Sequence, residues 1–310
     1  MPPFAFFKGE FVPLSEAKVG IMTHALNYGT AVFEGIRGNW NEEDQQIYLF
    51  RVKEHFQRLH KSSRILNLTL DYSIDELFDI TMKLAKMCEF QEDIYMRPMV
   101  YQSGEVLGVR SHDVDNDFFI FVSPFGPYFS GDQGIRCCIS SWRRPMDTMI
   151  PPRAKVTGIY VNSAMAKTEA MKNGFDEGIM LTQDGHVCEG SGENIFLVED
   201  GKLVTPSSSD AVLLGITRST VMQIAVEELG IPTVERQMDR SELYTADEVF
   251  LTGTAAHITP VVEIDHRAVG DGKVGPITRR LSDLYMDIIR GKNERYGSWC
   301  TPAYQKAARR

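Results

Sequence analysis

The sequence predicts a two-domain protein of the α+β or α/β class. Strand-like and helix-like stretches follow one another along the whole chain. A run dense in glycine and proline divides it near the middle. The 310 residues are enough to build two hydrophobic cores. The expected organisation is an N-terminal α/β domain over 1–125, a linker over 126–134 and a C-terminal domain over 135–310.

In the first domain, Phe4–Val12 and Gln46–Phe50 read as strands. Between Val52 and Leu66, the residues Val52, Phe56, Leu59, Ser63 and Leu66 recur at helical spacing with Lys, Arg and Gln between them. Ser73-x-x-Glu76 has the form of a capping box and opens a second helix. Ile94–Gln102 and Phe118–Val122 are β-rich. The linker holds three glycines and a proline in nine positions, a dense set of chain breakers. Beyond it, strands are expected at Ile135–Ser141, Gly178–Thr182, Asn194–Val198 and Glu248–Leu251. Helices are expected near Ile159–Asn173, over Thr217–Leu229 and over Pro276–Arg290. Pro276 falls in a first turn, where a missing N–H costs nothing.

Composition excludes several function classes. The net charge of −9 repels nucleic-acid phosphates, so no nucleic-acid partner is expected. No stretch has the ~20 apolar residues a spanning helix needs, and the Phe4–Phe7 run is too short for a signal peptide. A cytoplasmic location with no membrane partner follows as the expectation. The five cysteines (Cys88, Cys137, Cys138, Cys188, Cys300) form no C-x-x-C and read as reduced structural thiols. The seven histidines show no zinc-ligand spacing, so no metal is expected.

Several segments carry chemistry. Lys155 sits in Ile150-Pro-Pro-Arg-Ala-Lys155-Val-Thr-Gly-Ile-Tyr160, flanked by apolar residues and just ahead of a helix. A partly desolvated lysine has a lowered pKa and attacks carbonyls as the free amine, as an aldehyde cofactor such as pyridoxal phosphate requires. Tyr160, a little over one helical turn on, could donate to that cofactor's ring oxygen. Glu189-Gly190-Ser191-Gly192 is a tight turn beside a carboxylate able to pair with a pyridine nitrogen. Gly215-Ile216-Thr217-Arg218 opens a helix, whose N-terminus attracts phosphate. Thr252-Gly253-Thr254-Ala255-Ala256 offers a second donor loop after a strand. Tyr95 and Arg97 are two apart in a strand, so they share a face and form a candidate carboxylate clamp. Each segment also has a plain structural reading: a surface lysine, a core tyrosine, a hairpin, an ordinary N-cap or an edge-strand ion pair.

Taken in order, these segments resemble the branched-chain aminotransferase family of fold-type-IV pyridoxal-phosphate enzymes, from about Gly20 to Trp299. The matching runs are Thr23–Arg37 (THALNYGTAVFEGIR), Glu54-His-Phe-Gln-Arg58-Leu, Tyr95-Met-Arg-Pro98, Glu189-Gly-Ser-Gly-Glu-Asn194, Leu214-Gly-Ile-Thr-Arg218 and Thr252-Gly-Thr-Ala-Ala256. The Tyr95/Arg97 pair and the run through Arg37 separate the branched-chain class from D-amino acid aminotransferases and aminodeoxychorismate lyases.

The resemblance implies the D-amino acid aminotransferase-like fold and transamination of leucine, isoleucine and valine with 2-oxoglutarate. Lys155 would be the Schiff-base lysine and proton shuttle, Glu189 the partner of the pyridine nitrogen and Tyr160 of the ring oxygen. Arg58, Ile216, Thr217 and Thr254 would bind the phosphate. Tyr95 with the amides around Thr254, Ala255 and Ala256 would hold the α-carboxylate, and Arg97 the distal carboxylate of glutamate. Tyr28, Phe33, Val109, Phe125 and Tyr128 would line the side-chain pocket, with Val109 arriving from the neighbouring subunit of a homodimer or larger oligomer. Phe125 where many members have Trp, Leu214 where Pro is common and His257 where Glu is frequent leave fine specificity open. A fold-type-IV amine or D-amino acid transaminase, or a lyase, is the alternative.

Overall fold

The computed structural model describes residues 3–129 and 133–304. Ser130 to Asp132 of the expected linker, and the tail after Tyr304, lie outside the described residues. The chain divides into two compact units. One comprises Met1–Gly126, Ala154–Gly158 and Asp287–Arg310, and the other Pro127–Arg153 and Ile159–Met286. This corrects the expected boundaries in two places, because Lys155 and the C-terminal segment belong with the first unit. The reason is pairing. Val156 bridges Val32, the Phe33 amide donates to the Lys155 carbonyl at 3.0 Å, and Thr157 Oγ1 donates to the Gly29 carbonyl at 2.8 Å. The terminal strand Cys300–Pro302 pairs with Tyr48–Phe50.

The first unit is built on an eight-stranded sheet. Its strands are β1 (Phe4–Phe7), β2 (Glu10–Pro13), β3 (Ala31–Phe33), β4 (Ile36–Asn41), β5 (Gln46–Phe50), β6 (Ile94–Gln102), β7 (Asn116–Pro124) and Cys300–Pro302. The order is Cys300–Pro302, β5, β4, β6, β7, β1, β2, with β3 also on β6, and every pairing is antiparallel. The expected single strand Phe4–Val12 is in fact a hairpin. Lys8 and Gly9 both take positive φ, 51° and 82°, the conformation that a two-residue turn demands. Along β6, buried Ile94, Met96 and Val100 alternate with half-buried Tyr95, Arg97 and Met99. Helices α1 (His24–Tyr28), α2 (Val52–Ile65) and α3 (Ile74–Cys88) complete the unit. The predicted capping box is present: the Ser73 amide donates to Glu76 Oε2 at 2.7 Å, and the Glu76 amide to Ser73 Oγ at 3.2 Å.

In the second unit, β8 (Ile135–Ile139), β9 (Glu177–Leu181), β10 (Val187–Glu189), β11 (Asn194–Glu199), β12 (Lys202–Thr205), β13 (Thr233–Glu235), β14 (Glu248–Gly253), β15 (His257–Ile264) and β16 (Arg267–Ala268) form a nine-stranded sheet. The path runs β10-β9-β8-β15-β14-β11, and β10 pairs β11 again, so six strands close into a ring. Ile135, Cys137, Ile179, Leu181, Val187, Ile195, Leu197, Val249 and Leu251 fill its core at every second position. Cys137 and Cys138 face opposite ways as adjacent strand residues must: Cys137 joins this core and Cys138 a separate cluster with Ala170 and Phe175. Helix α4 (Tyr160–Lys172) packs on β9, α5 (Ile216–Leu229) on β13 and β14, and α6 (Pro276–Ile289) closes the helical set.

The ring brings two turns to one end. Asn194 opens β11 just after the 190–193 turn, and it pairs with Thr252, just before the 254–256 turn of β14 and β15. Among the described residues, no helix is long and apolar enough to cross a membrane.

Candidate active site

In the first unit, the candidate residues gather around β3, β6 and the Lys155 segment. Lys155 is half-buried, its backbone pinned between Phe33 and Ser62 Oγ. Its Nζ lies 4.9 Å from the centre of the Phe33 ring. Arg97 projects from the same face of β6 as Tyr95 and donates to the Tyr95 hydroxyl at 3.1 Å. Its guanidinium lies 4.5 Å from the Phe33 ring centre, and its Nε is buried without a hydrogen-bond acceptor among the described residues. Gly35 makes room for Tyr95, since a Cβ there would meet the hydroxyl oxygen at 2.1 Å. Phe125 packs on Tyr95 at 5.2 Å and under Arg37 at 4.9 Å.

Arg58 is gripped by Glu34, a fully buried carboxylate that the sequence reading did not single out. Arg58 Nε and Nη2 each donate to one Glu34 oxygen at 2.7 Å, and His55 Nδ1 lies 2.7 Å from Oε2. Burial pushes the Glu34 carboxyl up, but the Arg58 charge and the Arg58 and His55 bonds outweigh it and hold it down at about 2. Burial lowers the His55 pKa despite Glu34, so His55 serves as a neutral N–H donor and Arg58 carries the charge.

In the second unit, Glu189 ends β10 and is buried. Arg144 Nη2 lies 2.6 Å from its Oε1, and Asn194 Nδ2 and the Leu213 amide each donate to Oε2 at 3.1 Å. One arginine charge and two N–H donors offset the cost of burying this carboxylate. Asn194 also donates to the Leu213 carbonyl at 2.8 Å, which fastens the segment leading into α5. Gly215 caps that helix, and a Cβ on it would meet Asn194 Oδ1 at 2.0 Å. The Ile216 and Thr217 amides stand ahead of any acceptor in their own helix, at the positive end of its dipole, and Thr217 is buried there. Arg218 is committed elsewhere, to the Pro206 carbonyl at 3.0 Å and Glu235 at 2.7 Å. Thr254, Ala255 and Ala256 form the turn between β14 and β15. Tyr160 is the first residue of α4, and the Tyr128 ring lies over Lys167 at 5.5 Å.

A family model described as amino-transferase class IV matches residues 31–264. The chain belongs to this family. A probable branched-chain-amino-acid aminotransferase of Aquifex aeolicus is 50% identical over 303 residues, 98% of this chain and 97% of the relative. The branched-chain aminotransferase of Thermoproteus uzoniensis, solved with norvaline, superposes with a TM-score of 0.93 at 44% identity, covering 97% of this chain and 99% of that one. The Thermobaculum terrenum enzyme in its pyridoxal-phosphate form gives 0.93 at 37% identity, covering 98% and 99%. The fold is therefore that of the fold-type-IV aminotransferases.

The residues of this class IV aminotransferase fit the family's cofactor. The second unit offers a helix N-terminus for phosphate and a buried anion, Glu189, for a protonated ring nitrogen. The first offers a half-buried amine, Lys155, and a guanidinium held rigid by Glu34. Within the first unit, Phe33, Tyr95, Arg97 and Phe125 are packed together. Tyr28 and Val109 stand apart from them: Tyr28 accepts from the Gly108 amide at 2.9 Å, and Val109 is 85% exposed. Sequence reasoning missed Glu34, Arg144 and Asn194. His55 and Arg58, three apart on α2, were a readable signal for a shared acid. Nothing in the spacing of Arg144 and Glu189, 45 residues apart, could have joined them.

Proposed function

We propose that this protein transfers the amino group of branched-chain L-amino acids, leucine, isoleucine and valine, to 2-oxoglutarate, giving branched 2-oxo acids and glutamate. The observation that carries the reading is the Tyr95–Arg97 pair beside Phe33 and Phe125. It combines an apolar aromatic surface with a half-buried guanidinium whose buried Nε has no acceptor among the described residues, which suits a site taking both a greasy side chain and a carboxylate.

Pyridoxal phosphate, when bound, supplies an electrophilic carbon for the amine and a ring that accepts electrons. Lys155 provides the amine that holds it and moves the proton at the substrate Cα. Glu189, kept anionic by Arg144 and Asn194, pairs with the ring nitrogen, and Tyr160 with the ring oxygen. Arg58, Ile216, Thr217 and Thr254 take the phosphate. Tyr95 and the Ala255 and Ala256 amides hold the α-carboxylate. Arg97 receives the distal carboxylate of glutamate.

The protein works as a homodimer or higher oligomer in the cytoplasm. Ile21, Leu26, Leu107 and Val109 are 63–86% exposed, an apolar set that a second copy would cover and that would bring Val109 to a neighbouring site with Tyr28 and Tyr128. The five unpaired, buried cysteines suit a reducing compartment.

The test is a panel of amino donors with 2-oxoglutarate, following glutamate formation by the purified enzyme. Leucine, isoleucine and valine should lead it. Preference for D-alanine or a simple amine, or failure of glutamate as a donor in reverse, would overturn the assignment.

A further inference from the structure

Three buried carboxyls crowd the end of the six-stranded ring that carries the 190–193 and 254–256 turns, and among the described residues two cations lie within ion-pair distance of them. Glu189 has Arg144 at 2.6 Å. Glu177, fully buried at the start of β9, has Lys167 Nζ at 2.7 Å and accepts the Gly178 amide at 2.8 Å and the Ser191 amide at 3.4 Å. Glu193 is 4% exposed and, among the described residues, accepts from the Gly192 amide alone, at 3.1 Å. Among the described residues, no cation lies within ion-pair distance of it.

The surroundings are otherwise acidic or apolar. Glu177 faces Glu193 from β9, Glu189 from β10, Lys167 from α4, Cys137 from β8 and Tyr128 from the segment before β8. Burial first, and Glu177 second, raise the Glu193 carboxyl to about 8. Burial, together with these same carboxyls, also pushes the Tyr128 phenol and the Cys137 thiol upward.

Glu193 is also a structural prop. A Cβ on Gly190 would come within 2.8 Å of Glu193 Oε2, so that glycine leaves room for the carboxyl. A Cβ on Gly253 would touch Glu193 Cγ at 3.5 Å, which puts the side chain directly against the residue that leads into the Thr254–Ala256 turn.

We propose that Glu193 is a positioning residue that works as the neutral acid, supporting the Gly253–Ala256 turn, and that its ionisation weakens the turn's grip on the substrate carboxylate. This rests on the assignment of that turn to the α-carboxylate. A second buried negative charge beside Glu177 repels an anion held at the adjoining turn, because the charge is poorly screened there. The same ionisation destabilises the fold. A proton bound more tightly in the folded state contributes stability at low pH, and that stability is lost as pH rises from the ordinary carboxylate range toward 8.

The experiment compares wild type with Glu193→Gln, which keeps the neutral shape, and with Glu177→Gln, which removes the like charge. One arm is chemical unfolding of the protein between pH 5 and 9. Wild type should lose up to about one decade in its unfolding equilibrium per pH unit that Glu193→Gln does not lose, and Glu177→Gln should shrink that loss and end it at lower pH. The other arm is the KM for 2-oxoglutarate, which has no amine to titrate. The wild-type KM should rise about tenfold relative to Glu193→Gln between pH 7 and 9.5, with kcat changed far less. Equal pH slopes of unfolding in wild type and Glu193→Gln would show Glu193 charged throughout and overturn the proposal. A difference in unfolding with parallel KM profiles would overturn its link to the turn. The unfolding arm needs no activity, so failure of the functional assignment is seen separately, as absence of transamination in every variant.

Discussion

In the proposed assignment, Arg97 is the residue on which dual specificity turns. Leucine brings no charge, and the rings of Phe33, Tyr95 and Phe125 suit its side chain. Glutamate brings a carboxylate that would be costly to bury unpaired, and Arg97 Nε is buried with no acceptor among the described residues. Arg97→Ala should therefore split the two half-reactions. The glutamate half should lose about 2–4 kcal/mol of transition-state binding and the leucine half less than ~1.4 kcal/mol. Single-turnover rates of cofactor bleaching with each amino acid report this; equal losses would mean that Arg97 serves the α-carboxylate or the fold. A second residue-scale prediction concerns acid stability. Glu34 has a folded pKa of about 2 against an ordinary 4.5, so its contribution is complete above about 4.5 and is lost as pH falls toward 2. Glu34→Gln should remove about 3 kcal/mol of this acid-side slope in urea unfolding, and an unchanged slope would place the Arg58 grip elsewhere. At this scale the sequence was legible where chemistry is local. Tyr95 and Arg97 share a face because strands have a period of two. Glu34 with Arg58, and Arg144 with Glu189, are joined only by tertiary folding, and no spacing announces them.

At the scale of elements, the helices read well because periodicity and caps are local. Ser73 and Glu76 predicted the start of α3, and the capping box is there. Strands with unusual content were lost. β4 buries Arg37, Asn39 and Asn41, so it reads as a polar loop. β15 begins at His257, whose φ is 55°, and contains Pro260, two signals that argue against a strand. In the proposed assignment, the start of α5 is the element that takes the phosphate. Its geometry depends on Gly215, whose Cβ position is taken by Asn194 Oδ1. Gly215→Ala should displace Asn194 from Glu189 and tilt the first-turn amides, weakening pyridoxal phosphate binding at least about tenfold, for a loss of one or two hydrogen bonds to charged groups. Equilibrium dialysis of the variant measures this. Wild-type affinity would mean that the helix start tolerates the shift and that phosphate is held by other donors.

At the scale of the whole molecule, the sequence suggested one break between two domains, and the chain instead divides its segments unevenly. Residues 154–158 and 287–310 return to the first unit, through single bridges and short pairings such as Val32 with Val156 and Phe50 with Cys300. Three-residue pairings carry no periodicity, so linear reading could not find them. The consequence is functional: Lys155 is fixed by β3 and by Ser62 of α2, the helix that also carries Arg58. The central claim is that this lysine holds the cofactor and surrenders it to the amino donor. The most direct measurement is borohydride reduction of the purified holoenzyme, followed by peptide mass mapping. The account predicts the phosphopyridoxyl mass on Lys155, and its disappearance when leucine is added before the reductant. The mass on another lysine, or labelling of Lys155 that leucine leaves unchanged, would contradict it.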